Sequence, residues 1–160
     1  MENIYICKYK NLEIDKLNIY DLCIKYNSLP FYIQSPVFSD CHITNYNNNK
    51  KYLELKINET KISHIKFLTL IDSIEIKINK YNNSDENNIS NGSNNIKTQI
   101  ITDIQNKKSL KVKLTNGTSL YNSNKELVNN LYSGKISVLF KLEFYNFYYS
   151  WNAVQILQLN

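Results

Sequence analysis

From Lys135 to Phe144 the chain alternates: Ile136, Val138, Phe140, Leu142 and Phe144 fall on one side of a period-two pattern, and Lys135, Ser137, Leu139, Lys141 and Glu143 on the other. A helix, with its period of 3.6, would scatter those apolar residues around its circumference; a strand gathers them on one face. After Tyr145-Asn146 the chain resumes as Phe147-Tyr148-Tyr149-Ser150-Trp151 and runs on, β-prone, to Leu159. The carboxyl end is therefore expected to be a hairpin of two long strands.

The rest of the sequence is read around that hairpin. Ile19–Tyr26 and Phe31–Ser35 are β-prone runs across Asn27-Ser28-Leu29-Pro30 and read as a second hairpin. Tyr52–Ile57 reads as a strand. Over residues 61–80 the period changes: Ile62, Ile65, Leu68, Ile71, Ile74 and Ile78 recur at spacings of three and four, with Phe67 one step off the stripe. This predicts an amphipathic helix capped by Asn58 or Thr60, although Ile74–Ile78 also alternates and leaves a strand open there. Residues 81–95 are almost devoid of apolar side chains and read as a mobile Asn/Ser-rich loop. Lys97–Ile101 and Leu110–Leu114 follow as strands, the second ending on the turn Asn116-Gly117, and 124–132 reads as a short helical turn. Only three glycines and two prolines are present, so asparagine, with 26 copies, must serve many turns.

Strands, one helix, then strands again, in 160 residues, fit one mainly β domain over 1–160. Sheets that close into a barrel remove their exposed edges, and the expected architecture is an OB-fold-like five-stranded Greek-key barrel with one helix between strand sets. No apolar stretch reaches the ~18 residues of a membrane span, and the start MENIYICKYK lacks the order of a signal peptide. A chain that stays in the cytoplasm, off membranes, is the expectation.

Catalytic apparatus is hard to assemble from these residues. There is no Gly-rich phosphate loop, no nucleophile elbow and no HExxH, and the acidic residues lack metal-triad spacing. Cys7, Cys23 and Cys41 have no CxxC spacing, and adjacent Cys41-His42 is poor geometry for one zinc. His64, on the flank of the helix, reads as surface or core filler. No enzyme, metal or cofactor is expected.

One pattern stands above this background. All 19 basic residues are lysines, the net charge is +5, and aromatic residues are interleaved with them around the hairpins. Abundant Asn, Ile, Lys and Tyr suit an A/T-rich genome, so the pattern matters more than the counts. Single-strand binders need lysines for phosphates and aromatic faces for bases. The candidate stacking residues are Tyr26, Phe31, Tyr32, Phe38, Tyr145, Tyr148 and Trp151; the candidate phosphate ligands are Lys111, Lys113, Lys135 and Lys141. Rings also fill cores, and about half of these are expected to do so.

Three stretches carry a family resemblance. Tyr26–Pro36 resembles a strand-turn-strand ending in Gln-Thr-Pro, here Gln34-Ser35-Pro36. Phe67–Asp72 resembles a helix with an aromatic and a Leu-Asp pair, and Ile136–Leu142 with Trp151–Leu159 resembles a closing hairpin of Trp-x-x-x-Gln type. In that order they resemble the OB-fold single-stranded DNA-binding proteins of large nucleocytoplasmic DNA viruses and yeast cytoplasmic linear plasmids. Ser35 departs from the threonine of the pattern, and the stretch before Trp151 is tyrosine-rich where a glycine-bearing turn is expected. The resemblance implies a non-catalytic, sequence-independent coat on single-stranded DNA during replication. A polymerase or helicase, or a second copy of the chain, are the protein partners it allows. Two other classes stay open on the sequence: a β-barrel protein-interaction module using the tyrosine-rich hairpin, and an RNA-binding OB domain.

Overall fold

A computed structural model describes residues 3–21, 23–46, 49–84, 95–131, 134–145 and 148–160. In chain order the elements are β1 (Tyr5–Lys8), two 3₁₀ turns (Tyr9–Asn11 and Ile14–Lys16), β2 (Leu17–Tyr20), β3 (Cys23–Tyr26), β4 (Phe31–Gln34), β5 (Cys41–Tyr46) and β6 (Lys50–Lys56). Helix α1 (Ile62–Ser84) follows, then β7 (Ile100–Thr102), β8 (Lys108–Leu114), β9 (Ser119–Tyr121), β10 (Lys135–Tyr145) and β11 (Tyr148–Leu159).

The carboxyl-terminal alternation forms the centre of the sheet. β10 and β11 pair antiparallel from Lys135↔Leu159 to Tyr145↔Tyr148, with one bulge between Leu139 and Phe140 that leaves Val154 without a partner. The bulge keeps Ile156 and Ala153 on one side of the sheet, since a one-residue slip would otherwise turn every later side chain over. Around this hairpin the ladder runs β1-β4-β10-β11-β8-β6-β5, with β7 on β8 and β9 on β11; β2 and β3 form a separate hairpin. The chain is mainly β and OB-like with one helix between strand sets, as expected. The strands number more than five, and among the described residues the end strands β1 and β5 do not pair, so the ladder stays open.

Helix α1 covers the inner face. Its buried residues are His64, Phe67, Leu70, Ile71, Ile74, Ile78 and Asn82. The expected stripe is thus rotated: Ile62 is 71% exposed and Ile65 45%, whereas Phe67, one step off the stripe, is fully buried. The large ring decides the orientation, because Phe67 meets Phe38, Phe140, Trp151 and Tyr9 at centroid distances of 5.7–6.0 Å. Ile74–Ile78 is helical, not a strand. Before the helix, Asn58 Oδ1 accepts hydrogen bonds from the backbone and hydroxyl of Thr60. The Asn58 backbone N–H donates to His64 Nδ1 at 2.9 Å, so the ring proton sits on Nε2, 2.9 Å from the Val37 carbonyl that accepts it. His64 therefore ties the helix start to the chain before β5.

Other expectations shift. The turn of the amino-terminal hairpin falls inside Ile19–Tyr26, where Asp21 has φ 46° and β2 pairs with β3. Asn27 and Ser28 do form a turn, both at positive φ between bridged Tyr26 and Leu29, as asparagine chemistry suggests. β4 then leaves that hairpin to pair with β1 and β10. Residues 81–84 are the last turn of α1; 85–94 of the expected loop lie outside the described residues. No helical turn forms in the described part of 124–132: the chain turns at Asn122–Glu126 with Lys125 at φ 65° and bridges Leu127 to Tyr121. The strand expected at 97–101 is shorter and shifted, β7 covering Ile100–Thr102.

Candidate nucleic-acid interface

The alternation of each strand sorts the candidate rings. Phe38 and Trp151 are fully buried, and Tyr26 and Phe31 nearly so. Trp151 stands edge-on to Phe140 at 5.2 Å; Tyr26 is stacked on Tyr5 at 5.3 Å and tilted against Phe31 at 5.9 Å. Their faces are occupied by other protein rings, so the stacking role assigned to Tyr26, Phe31, Phe38 and Trp151 is corrected: all four are core. The reason is register. Trp151 pairs with Leu142 and Val112, and Phe31 is cross-strand to Tyr5, positions on or toward the apolar side of the sheet.

The remaining candidates share the outer side. Tyr145 and Tyr148 are cross-strand partners at the hairpin end, 56% and 43% exposed. Four pairs down the ladder, on the same face, Lys141 is cross-strand to Asn152, which is in turn cross-strand to Lys113 on β8, and Lys113 to Tyr52 on β6. Lys111, opposite Glu54, lies over the Tyr52 ring with Nζ 4.1 Å from the centroid. Tyr32, half-buried on β4, is cross-strand to the exposed Ile6 of β1. Lys135 lies at the opposite end of β10 from Tyr145. One outward face thus carries Tyr145, Tyr148, Tyr52, Lys141, Lys113 and Lys111 across four adjacent strands.

The electrostatics of that face are local. Glu143 accepts from the Tyr145 hydroxyl at 2.9 Å and pairs with Lys141 at 3.3 Å. Burial alone would raise its carboxyl, but hydrogen bonds from Tyr145, Asn152 and Lys141, with the lysine charge, outweigh that and hold it below the usual range. Burial, then the neighbouring Lys97, lower the ammonium of Lys111, against Glu54. Tyr148 is raised by burial and then by the nearby Tyr52, which places those two phenols in one neighbourhood. Lysines on this surface are thus balanced by two carboxylates, Glu143 and Glu54, the latter also 3.1 Å from His42 Nε2.

No protein-family model matches the sequence, and no curated protein matches it. Among solved structures, the chain superposes on the single-stranded DNA-binding protein from bacteriophage Enc34 with a TM-score of 0.53 at 15% identity, covering 89% of each chain. The same phage protein in complex with single-stranded DNA gives 0.53 at 15% identity over 89% of this chain and 93% of that one. The single-stranded DNA-binding protein gp2.5 of bacteriophage T7 gives 0.55 at 8% identity over 81% and 91%. The fold is shared with phage single-stranded DNA-binding proteins. At these identities the likeness is one of fold, and it extends over most of the chain.

Tyr52 was not among the sequence candidates, yet it is central to the outer face. The alternation Tyr52-Leu53-Glu54-Leu55-Lys56 holds the signal: buried Leu53 and Leu55 put Tyr52 on the solvent side with Glu54 and Lys56. The same logic separates Cys41 from His42, which point to opposite sides of β5, toward Leu55 and Glu54 respectively. Among the described residues no group of three His, Cys, Asp or Glu side chains is placed to hold a metal ion, and no helix is long and apolar enough to cross a membrane.

Proposed function

We propose that this chain binds single-stranded DNA without sequence preference, through the outer face of β10, β11, β8 and β6. The observation that carries the reading is the convergence of three tyrosines, Tyr52, Tyr145 and Tyr148, with Lys111, Lys113 and Lys141 on one side of the sheet. Phosphate charge and base faces are common to every sequence, so such a surface tracks a strand without reading it. The shared fold with two phage single-stranded DNA-binding proteins, one solved with its DNA, supports it. In the finer form the protein coats exposed strands during replication of an A/T-rich virus or linear plasmid in a cytoplasmic compartment. A polymerase or helicase, or further copies of the chain, would be its partners there. It acts by binding, not by catalysis.

The test is fluorescence anisotropy with labelled oligo-dT of roughly 30 nucleotides, longer than the ~4–16 one OB fold occupies. At about 50 mM salt, binding is expected to be tight and poorly competed by duplex, and to weaken at about 300 mM with a log–log slope near 0.7 per phosphate neutralised. Charge reversal at Lys111, Lys113 and Lys141 together should flatten that slope by about 2. Unchanged binding by the triple variant would overturn the proposed face. Salt-tolerant association of the protein with itself, and none with DNA, would redirect attention to the tyrosine-rich hairpin as a protein interface.

A further inference from the structure

At the end of the sheet opposite Tyr145 and Tyr148 lies a groove of about 780 Å³ bordered by Lys8, Lys10, Lys61 and Lys135. The four lysines come from four places in the chain: β1, the 3₁₀ turn after it, the residue preceding α1, and the start of β10. All four are exposed, and the groove lining includes serines and amides but no carboxylate side chain. Among the described residues none of the four forms an ion pair; Lys61 Nζ donates a hydrogen bond to Ser39 Oγ at 3.4 Å. At the tyrosine end, by contrast, Lys141 is paired with Glu143 and Lys56 lies 4.0 Å from Glu54. Lys8, Lys10 and Lys135 line this groove with no carboxylate side chain beside them, while Lys61 also borders a neighbouring groove that holds Asp40, Glu59 and Asp103; ammonium groups gathered on one concave surface repel each other, and the arrangement gains when an anion of several charges enters.

By strand register the groove lies on the same side of the sheet as the proposed DNA face. Lys8 pairs with Gln34, which neighbours Leu139 across the β4–β10 ladder; Lys135 and Lys141 are outward residues of one strand. From Lys135 to Tyr145 that strand spans roughly 33 Å at ~3.3 Å per residue. We infer that the lysine groove is a phosphate subsite for the same DNA strand: bases stack at the Tyr145–Tyr148 end, and the strand runs along β10 and β11 until successive phosphates enter the groove. This rests on the function proposed above, and adds a second anchor and a minimum bound length.

The experiment replaces Lys8, Lys10, Lys61 and Lys135 by alanine together and titrates oligo-dT of roughly 30 nucleotides across salt. Two to three phosphates released from the groove should lower the log–log slope by about 2, so the loss of affinity between about 50 and 300 mM salt becomes roughly thirtyfold smaller than for the wild type. At low salt the variant should bind more weakly, with an unchanged thermal melt, since no core contact is removed. Should the quadruple variant fold poorly, the pair Lys10→Ala/Lys135→Ala should give about half the change in slope. Wild-type binding with an identical slope in the variants overturns the groove and leaves the tyrosine face standing. Absence of wild-type binding overturns both.

Discussion

Trp151→Ala is expected to cost about 3–5 kcal/mol of stability, the range for truncating a fully buried large aromatic side chain. Against the ~5–15 kcal/mol typical of a whole domain, that is a loss a urea titration reads at once. Trp151 is fully buried and closes a ring cluster with Phe140 at 5.2 Å and Phe67 at 5.9 Å. Its removal leaves the helix and the central hairpin facing a cavity. Trp151→Phe keeps a ring in the cluster, so it should fold, lose less stability, and bind single-stranded DNA as the wild type does. A weakened affinity in folded Trp151→Phe would show that the indole meets bases, contrary to its place in the core.

Replacing Tyr52, Tyr145 and Tyr148 by alanine should have the opposite profile. Base–aromatic stacking is worth ~1–3 kcal/mol per base by alanine substitution. With two or three rings engaged, affinity for oligo-dT should fall at least about thirtyfold at ~1.4 kcal/mol per factor of ten. Stability should change little, because Tyr145 and Tyr148 are each about half exposed and Tyr52 stands on the solvent side of β6. The salt slope should persist, since lysines set it and rings do not. Triple-variant affinity equal to wild type would remove the tyrosines from the account.

The two variant sets also mark where the sequence could be read and where it could not. Period-two alternation over Lys135–Phe144 is a strong local signal, and the five apolar residues of its inward face are all buried in the structure. The outward lysines, Lys111, Lys113 and Lys141, follow from the same parity. Trp151 has parity too, but a tryptophan fits a core or a stacking platform equally well in sequence. Only the pairing of β11 with β10 and β8 puts it on the helix side. Helix α1 was visible by period, yet its facing depended on one ring, Phe67, whose packing with Phe38, Phe140 and Trp151 draws residues far apart in the chain. β1 and β5 carry no clear local signal, because Tyr5–Lys8 and Cys41–Tyr46 are short edge strands whose order depends on β4 and β6. Of the lysine groove, only Lys135 follows from the strand alternation; Lys8, Lys10 and Lys61 join it by topology, which no local pattern carries.

The most direct test of the outer face as the DNA site is photocrosslinking of the protein to an oligo-dT carrying halogenated deoxyuridine, with the crosslinked residues located by mass spectrometry. The account predicts adducts at Tyr52, Tyr145 and Tyr148, competed by unlabelled single strands and lost at high salt. Adducts confined to the helix side of the molecule, with those three tyrosines unmodified, would contradict it.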